Sequence, residues 1–576
     1  MMGRSSSDTP IEIKVSNDIC TDTDIILKLF NEFFKDIPDK LKSKLSPSNF
    51  NYNNLIENNI FSFFLKPIRP AEVISVTSEM KNNSKNSKIP VKFIKIIIPH
   101  LGSILSDLFN KCISASYFPD LFKVATVIPL HKNNERTELS NYRPISLLTC
   151  IAKIFEKLLF DRLYEFFMRN HLICDNQFGF VRGRTTSHAA IHLTNFCSSA
   201  FEENKFALSV FIDFSKAFDC VERELLLDKL SRYGVRGPPL ELLRSYMSDR
   251  KQRVRITNPN GKQCYSDLVD ITGAVAQGSS LGPLFYLIFS NEIPKLFPGA
   301  HVTLYADDLV ISMCGDDMTC LEGEMNSHLS TLLDWANFNR LPINYNKSHY
   351  MIFSNRISPP ISIKLGSTCL EKVSKTKYLG LYLDSGLKFN EHLIQLNVRL
   401  SQLRGITWRI SSSLDFQAAK LFYYSFVQST LSYCIEVWGG RLLVYQCSNT
   451  MSLINRIIRN LFSRHLSSND PDQILSSLGV LKTRDLFKWK ISQLFFNIRH
   501  MGYLSMLYFE YVEPTHNLRA QPELLVPFPR TDAMKINFHY CVTIIWNTIP
   551  IEIKNNTDLL RFKVAYKRHL LLSYAM

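Results

Sequence analysis

An apolar run from Ala207 to Ile212 stops abruptly at Asp213, and no other feature of the chain limits its fold as tightly. It suits a buried strand with a carboxylate at its C-terminal edge, because a buried strand reads as a continuous apolar run. Val302 to Tyr305 and Leu309 to Ser312 predict two further short strands that reverse at Ala306-Asp307-Asp308. Asp is common in turns, so an Asp-Asp pair alone says little. Asp316-Asp317 follows without an apolar strand on both sides and reads as a solvated pair. The first pair gains meaning from its neighbours: a strand ending in Asp213 beside a hairpin presenting Asp307-Asp308 would bring three carboxylates together from distant segments.

Around these strands the pattern alternates. Val91 to Asn110 and Ile151 to Arg169 have helical spacing, and Lys123 to Leu130 reads as a strand. Glu222 to Tyr233 predicts an amphipathic helix stopped by Gly234. Gln252 to Ile256 and Gln263 to Ile271 flank Asn258-Pro259-Asn260-Gly261, which predicts a hairpin. Leu321, Met325, Leu329, Leu332 and Ala336 recur at helical spacing. This order is compatible with a ferredoxin-like α+β sheet carrying helices on one face. Lys81 to Lys88 is a polar stretch that reads as a linker, and after about Asp384 the pattern turns mostly helical, through Leu421 to Trp438 and Ser452 to Phe462.

The 576 residues are 45% apolar, enough for two to four cores, and 67 Lys and Arg against 52 Asp and Glu leave a net charge of +15. That surplus attracts polyanions, nucleic acid first among them. Thirteen Cys without a C-x-x-C pair argue against a zinc knuckle or a disulfide framework and fit reduced intracellular thiols. No basic-then-apolar leader and no apolar run long enough to span a bilayer occur, so the expectation is a soluble, unsecreted protein without a membrane partner.

Joining a 3′-hydroxyl to a nucleoside triphosphate is the chemistry three convergent carboxylates suit, through two Mg²⁺ ions roughly 3.5 to 4 Å apart. The surrounding strings are specific. Phe211-Ile212-Asp213-Phe214-Ser215-Lys216-Ala217-Phe218-Asp219 resembles motif A of non-LTR, LINE-type retrotransposon reverse transcriptases, and Tyr305-Ala306-Asp307-Asp308 resembles their motif C. Asn141 to Leu147, Asn176-Gln177-Phe178-Gly179-Phe180, Gln277-Gly278-Ser279 with Leu281-Gly282-Pro283, and Tyr378-Leu379-Gly380 resemble other motifs at their expected ranks, over about residues 84 to 384.

The resemblance implies a right-hand polymerase with a ferredoxin-like palm, fingers, a helical thumb and a mostly helical C-terminal region. Its expected divisions are an N-terminal extension or linker remnant over 1–80, fingers over 81–206, and a palm over 207–384. The reverse transcriptase domain would span about 112–384, a thumb-like region 385–470 and a C-terminal domain 471–576. It implies that Asp213, Asp307 and Asp308 hold the metals, with Ile212, and Phe214 beside it, contributing backbone near the incoming nucleotide. Phe218 matches the steric gate against a ribose 2′-hydroxyl, with a core Phe as the alternative. Lys132 and Arg143 match residues gripping the triphosphate, where Arg can hold two oxygens. Gln277 and Gly278 would lie under the nucleotide and template, and Lys347 matches a general acid for the departing pyrophosphate. RNA template, DNA primer and dNTPs are the implied partners, and the nucleus the implied location, although no clear signal is present.

The resemblance extends over Leu421 to Gly439 and to a C-terminal end like that of an endonuclease-bearing LINE group. There Leu559, Phe562, Tyr566 and Leu570 share one helical face, predicting a docked helix with Arg561, Lys567 and Arg568 in water. Two departures matter. Ala274 and Ala276 stand where the family usually has Gly and Pro, which implies a looser loop before Gln277 and reduced activity. The family's upstream apurinic-type endonuclease has too little room before the core, so nicking by a separate nuclease is the expectation. Two readings follow, a working RNA-directed DNA polymerase or a relic that only binds nucleic acid.

Overall fold

The computed structural model describes residues 12–15, 18–52, 55–56, 58–82, 89–132, 135–258, 260–273, 275, 277–445, 447–466, 470–501, 509–511 and 524–574. Asn83 to Lys88 of the linker reading, and Ala274 and Ala276, lie outside them.

The apolar run forms the strand Phe206–Ile212, every residue of which is buried. It lies at the centre of a five-stranded sheet in the order Glu371–Lys372, His349–Phe353, Phe206–Ile212, Asp308–Gly315, His301–Tyr305. Asp308–Gly315 pairs antiparallel with both the central strand and His301–Tyr305, so the hairpin predicted around Asp307-Asp308 is present. Alternation along the central strand assigns Leu208, Val210 and Ile212 to one hydrophobic core and Ala207 and Phe211 to another.

Helices cover both faces, which corrects the expectation of helices on one. The first core is closed by Met318–Phe338, whose Leu321, Met325, Leu329, Leu332 and Ala336 are buried as their spacing predicts, and by Gly282–Phe289. The second contains Thr186–Glu202 through Ala190, Ile191 and Leu193. A strand apolar on both faces, with only the small Ser209 interrupting it, already requires two covered faces.

A second sheet, in the order Tyr142–Leu147, Val124–His131, Arg250–Thr257, Gln263–Tyr265, stands beside the first. The predicted hairpin exists, but its return arm is broken: Gln263–Tyr265 and Val269–Ile271 pair separately with Arg250–Thr257. Between them Ser266 exchanges hydrogen bonds with Val254 through its main-chain N–H (2.9 Å) and its Oγ (2.9 Å), so the side chain takes over a ladder position and the strand bends. Helix Thr23–Lys42 packs Ile26, Leu27, Phe30 and Phe34 onto this sheet against Val127, Tyr142, Val254 and Ile256. It lies inside the stretch whose sequence reads as an N-terminal extension.

Beyond Asp384 the chain is helical, with Asn390–Ile410 and Ser448–Phe462 packed against each other in the second core. The helix expected over Leu421 to Trp438 is interrupted. A π turn at Tyr423–Gln428 and Cys434 at φ 47° divide it, and Tyr433 donates its hydroxyl to the Leu379 carbonyl (2.6 Å). Leu379 and Gly380, at φ 46° and 83°, make the tight turn between strands Lys375–Tyr378 and Leu381–Asp384, and the Tyr433 ring rests on Gly380. That contact joins the helical region to this hairpin. Helix Leu559–Leu572 is docked, burying Phe562, Tyr566 and Leu570, and Trp489 Nε1 donates to its Lys563 carbonyl (2.9 Å). The described residues thus combine two five-stranded sheets, flanked by helices, with a mostly helical region beyond Asp384. No helix among the described residues is long and apolar enough to cross a membrane.

Candidate active site

The three carboxylates stand where the central strand ends and the neighbouring hairpin turns. Asp213 follows Ile212 directly, and Leu309 pairs with Ile212, which brings the turn Ala306-Asp307 alongside. Asp213 is held by a separate loop: its N–H donates to Ser348 Oγ (3.2 Å), its carbonyl accepts the Asn344 N–H (2.7 Å), and Ser215 N–H donates to the Pro342 carbonyl (2.8 Å). The same loop sets Lys347 Nζ 3.8 Å from Asp213 Oδ2.

Crowding and exclusion of water make this cluster unfavourable for bare anions. Burial, with repulsion from Asp213, raises Asp307 above the ordinary carboxylate value. Asp308 opens onto the cleft, yet the surrounding protein displaces enough of its water that burial, then Asp307 and Asp213, push it up to about 6. No three His, Cys, Asp or Glu side chains among the described residues stand gathered tightly enough to hold an ion as they are. The carboxylates are coupled through their charge, and an oxygen-only donor set of mutually repelling carboxylates fits a hard divalent cation such as Mg²⁺.

Two cavities meet at Asp213 and Lys347. The larger, about 710 Å³, is lined by Lys132, Arg143, Phe214, Lys216, Phe218, Gln277, Gly278 and Asp307 as well. The smaller, about 370 Å³, lies on the Asp308 side, against Phe211, His349, Thr376 and the turn Tyr378 to Gly380. Lys132 is held below the ordinary lysine value by burial and then by Arg143 and Lys347. Phe218 faces the larger cavity, stacked on Tyr286 at 4.6 Å and edge-on to Phe180 at 6.0 Å. Ile212 and Phe214 keep their side chains in the core, Phe214 edge-on to Trp335, so only their main chain is available at the site.

Gln277 and Gly278 meet protein from both sides. The Gln277 carbonyl accepts the Ser146 N–H (2.8 Å), and a Cβ on Gly278, which is at φ 113°, would fall 2.6 Å from the Ser146 carbonyl oxygen. The close approach that Gly278 permits is made to the strand Tyr142–Leu147. Gln277 Nε2 donates to Asp219 Oδ2 (2.8 Å), and burial raises Asp219 to about 6. Asp219, Tyr286, Lys216, Pro342 and Ser348 carry weight here that the sequence did not assign them. Asp219 and Lys216 lie inside the motif string, which was the available signal, whereas nothing local marks Tyr286. The second acidic pair takes other work: Asp317 Oδ1 accepts the Thr319 N–H (2.8 Å) and caps Met318–Phe338.

The chain is similar to several known proteins. A family described as "Reverse transcriptase (RNA-dependent DNA polymerase)" matches residues 130–383. The chain is 28% identical over 397 residues to a probable RNA-directed DNA polymerase from transposon BS of Drosophila melanogaster, covering 65% of this chain and 42% of that one. It is 25% identical over 424 residues to the RNA-directed DNA polymerase from mobile element jockey of the same species, covering 70% and 45%. It is also 28% identical over 309 residues to a putative 115 kDa protein in the type-1 retrotransposable element R1DM, covering 53% and 29%. The chain thus spans less than half the length of these relatives. A solved structure of apo telomerase from Candida tropicalis, truncated from its C-terminal domain, matches at 13% identity and a TM-score of 0.31, covering 50% of this chain and 60% of that one.

Proposed function

We propose that this chain, whose residues 130–383 are a reverse transcriptase domain similar to those of LINE-type mobile elements, copies RNA into DNA from a primer 3′-hydroxyl. The observation that carries the reading is the pair of cavities meeting at the carboxylates. The larger, with Lys132, Arg143 and Lys216 in its walls, suits a triphosphate, and the smaller, on the Asp308 side, suits the primer terminus. In-line transfer needs the attacking 3′-oxygen opposite the departing pyrophosphate oxygen across the α-phosphorus, and two cavities that adjoin at the carboxylates would let a primer terminus and a triphosphate approach each other there.

Asp213, Asp307 and Asp308, with the Ile212 main chain, would hold two Mg²⁺ ions, which when bound lower the pKa of the 3′-hydroxyl and neutralise charge on the phosphates. Arg143 grips phosphate oxygens in its planar fork, and Lys132, whose charge is already disfavoured by partial desolvation and by Arg143 and Lys347, gains a counter-charge when the triphosphate arrives. Lys347, in the wall shared by both cavities, would protonate the leaving pyrophosphate. Phe218, braced by Tyr286, fills the space a 2′-hydroxyl would need, and Gln277 and Gly278 support the nucleotide and template from below.

Extension of a labelled DNA primer on an RNA template, with dNTPs and Mg²⁺, tests the reading. Template-dependent product is expected. A folded protein that binds the hybrid yet adds no nucleotide would instead be a relic that only binds nucleic acid. Phe218→Val should raise the ratio of ribonucleotide to deoxyribonucleotide use by about tenfold or more, as expected when a single steric contact is lost. An unchanged ratio would make Phe218 a packing partner of Tyr286 and nothing else.

A further inference from the structure

We infer that Gln177 is a positioning residue that holds the turn carrying Asp307 and Asp308 in its catalytic shape; the inference rests on the function proposed above. The string Asn176-Gln177-Phe178-Gly179 has no role assigned from sequence, and the structure lays it along the outer edge of the palm sheet. Gln177 forms a parallel bridge with Leu304, whose N–H donates to the Asn176 carbonyl (2.9 Å) and whose carbonyl accepts the Phe178 N–H (2.8 Å). Asn176 Nδ2 donates to the Val302 carbonyl (2.8 Å), extending the ladder by one side-chain rung.

The Gln177 side chain, 2% exposed, then reaches the turn itself. Its Oε1 accepts the Ala306 N–H (2.9 Å) and the Gly179 N–H (2.8 Å). Ala306 is buried at φ 57°, a region that favours glycine, so its N–H points away from any ladder partner and would be an unpaired buried donor without Gln177. Only glycine fits at 179, because a Cβ there would lie 2.3 Å from the Ala306 nitrogen. Arg184 closes the clamp from behind, donating to the carbonyls of Cys174 (3.2 Å), Asp175 (2.8 Å) and Gln177 (2.7 Å) and pairing with Asp175 Oδ1 (2.9 Å).

Asp307 and Asp308 follow Ala306 directly, so whatever sets the turn sets where both carboxylates point. An amide side chain suits this position, since its oxygen can take two N–H donors while adding no further negative charge beside three carboxylates. The clamp therefore keeps the turn formed against the mutual repulsion of the carboxylates before any cation arrives.

Gln177→Met keeps the length and removes the acceptor. Hydrogen exchange read by mass spectrometry on a peptide containing Ala306 should accelerate about tenfold or more while distant palm peptides stay as in wild type. Half-saturating Mn²⁺ for the protein on a primer-template, measured by calorimetry, and half-saturating Mg²⁺ for extension should each rise about tenfold, the usual scale for losing a group that orients a ligand. Ala306→Gly, which relieves the left-handed conformation, should recover part of the Gln177→Met loss. If Gln177→Met does not fold, Gln177→Asn, which withdraws the amide oxygen by one methylene, takes its place with the same expected direction. Wild-type protein that extends a primer, together with an unchanged metal midpoint in the folded variant, overturns the clamp, whatever the exchange rate. Wild-type protein that extends no primer overturns the proposed function instead, and faster exchange at Ala306 with a raised Mn²⁺ midpoint would still support the clamp.

Discussion

Two Asp-Asp pairs stand at the two ends of one strand, Asp308–Gly315, and they share nothing but composition. At its start Asp307 and Asp308 sit in a turn between buried strands, facing Asp213, and among the described residues no Lys or Arg forms an ion pair with either. Burial and like charge raise both above the ordinary carboxylate value. Just past its end, Asp317 caps a helix and Asp316 lies exposed, 3.9 Å from an Arg356 nitrogen. One pair is satisfied by a helix terminus, an arginine and water. The other is left unsatisfied in a cleft, and that deficit is what a divalent cation and a triphosphate chemistry can use.

The sharpest way to break the comparison is to neutralise one carboxylate at each end. Asp307→Asn, or Asp213→Asn, should lower primer extension by about a thousandfold or more, since several kcal/mol of charge stabilisation is lost, while leaving hybrid binding nearly unchanged. Asp316→Asn should extend like wild type. Equal damage from both substitutions would sink the choice of carboxylates.

Stability against pH sharpens the contrast further. Asp308 is raised from 3.8 to about 6 in the folded chain, so between those values the folded state binds more protons than the unfolded one. Its contribution to stability is therefore undiminished below the unfolded value and is lost as pH rises through the folded one. In the absence of divalent cations, Asp308→Asn should melt higher than wild type at pH 7.5 and alike at pH 4, whereas Asp316→Asn should track wild type at both. Added Mg²⁺ should raise the wild-type melting temperature at pH 7.5 and close the gap to Asp308→Asn. A gap that persists at pH 4, or one that Mg²⁺ does not narrow, would mean that charge at Asp308 is not its source.

The smallest expected effect belongs to the cap. Asp317→Ala should cost about 1 kcal/mol, the ordinary loss of an N-cap, and lower the melting temperature by about 2 °C in a chain of this size. Extension per folded molecule should not change. A loss of extension greater than the loss of folded protein would show that the two ends of the strand are coupled.

Much of this site was legible in the chain itself. The run ending at Asp213, the hairpin at Asp307-Asp308 and the helical spacing from Leu321 to Ala336 are local patterns, and the structure contains each. Less visible was what covers them. Helix Thr23–Lys42 rests Phe30 against Tyr142 at 5.0 Å, and Thr186–Glu202 closes the face of the sheet that the sequence pattern left open. The break at Cys434 follows from Tyr433 reaching Leu379, a residue 54 positions earlier, and no helical periodicity signals such a contact.

Local sequence thus determined which segments become strands and turns, and which carboxylates those turns carry, because burial of alternate or continuous apolar residues is written in spacing of two or 3.6. Only the tertiary structure decided that Gln177 meets Ala306 across 129 positions, that Asp219 takes the amide of Gln277, and that Asp307 and Asp308 are crowded by burial and like charge while Asp317 caps a helix. A raised pKa, a clamped turn and an unpaired donor belong to an environment, and here that environment is assembled from segments far apart in the chain.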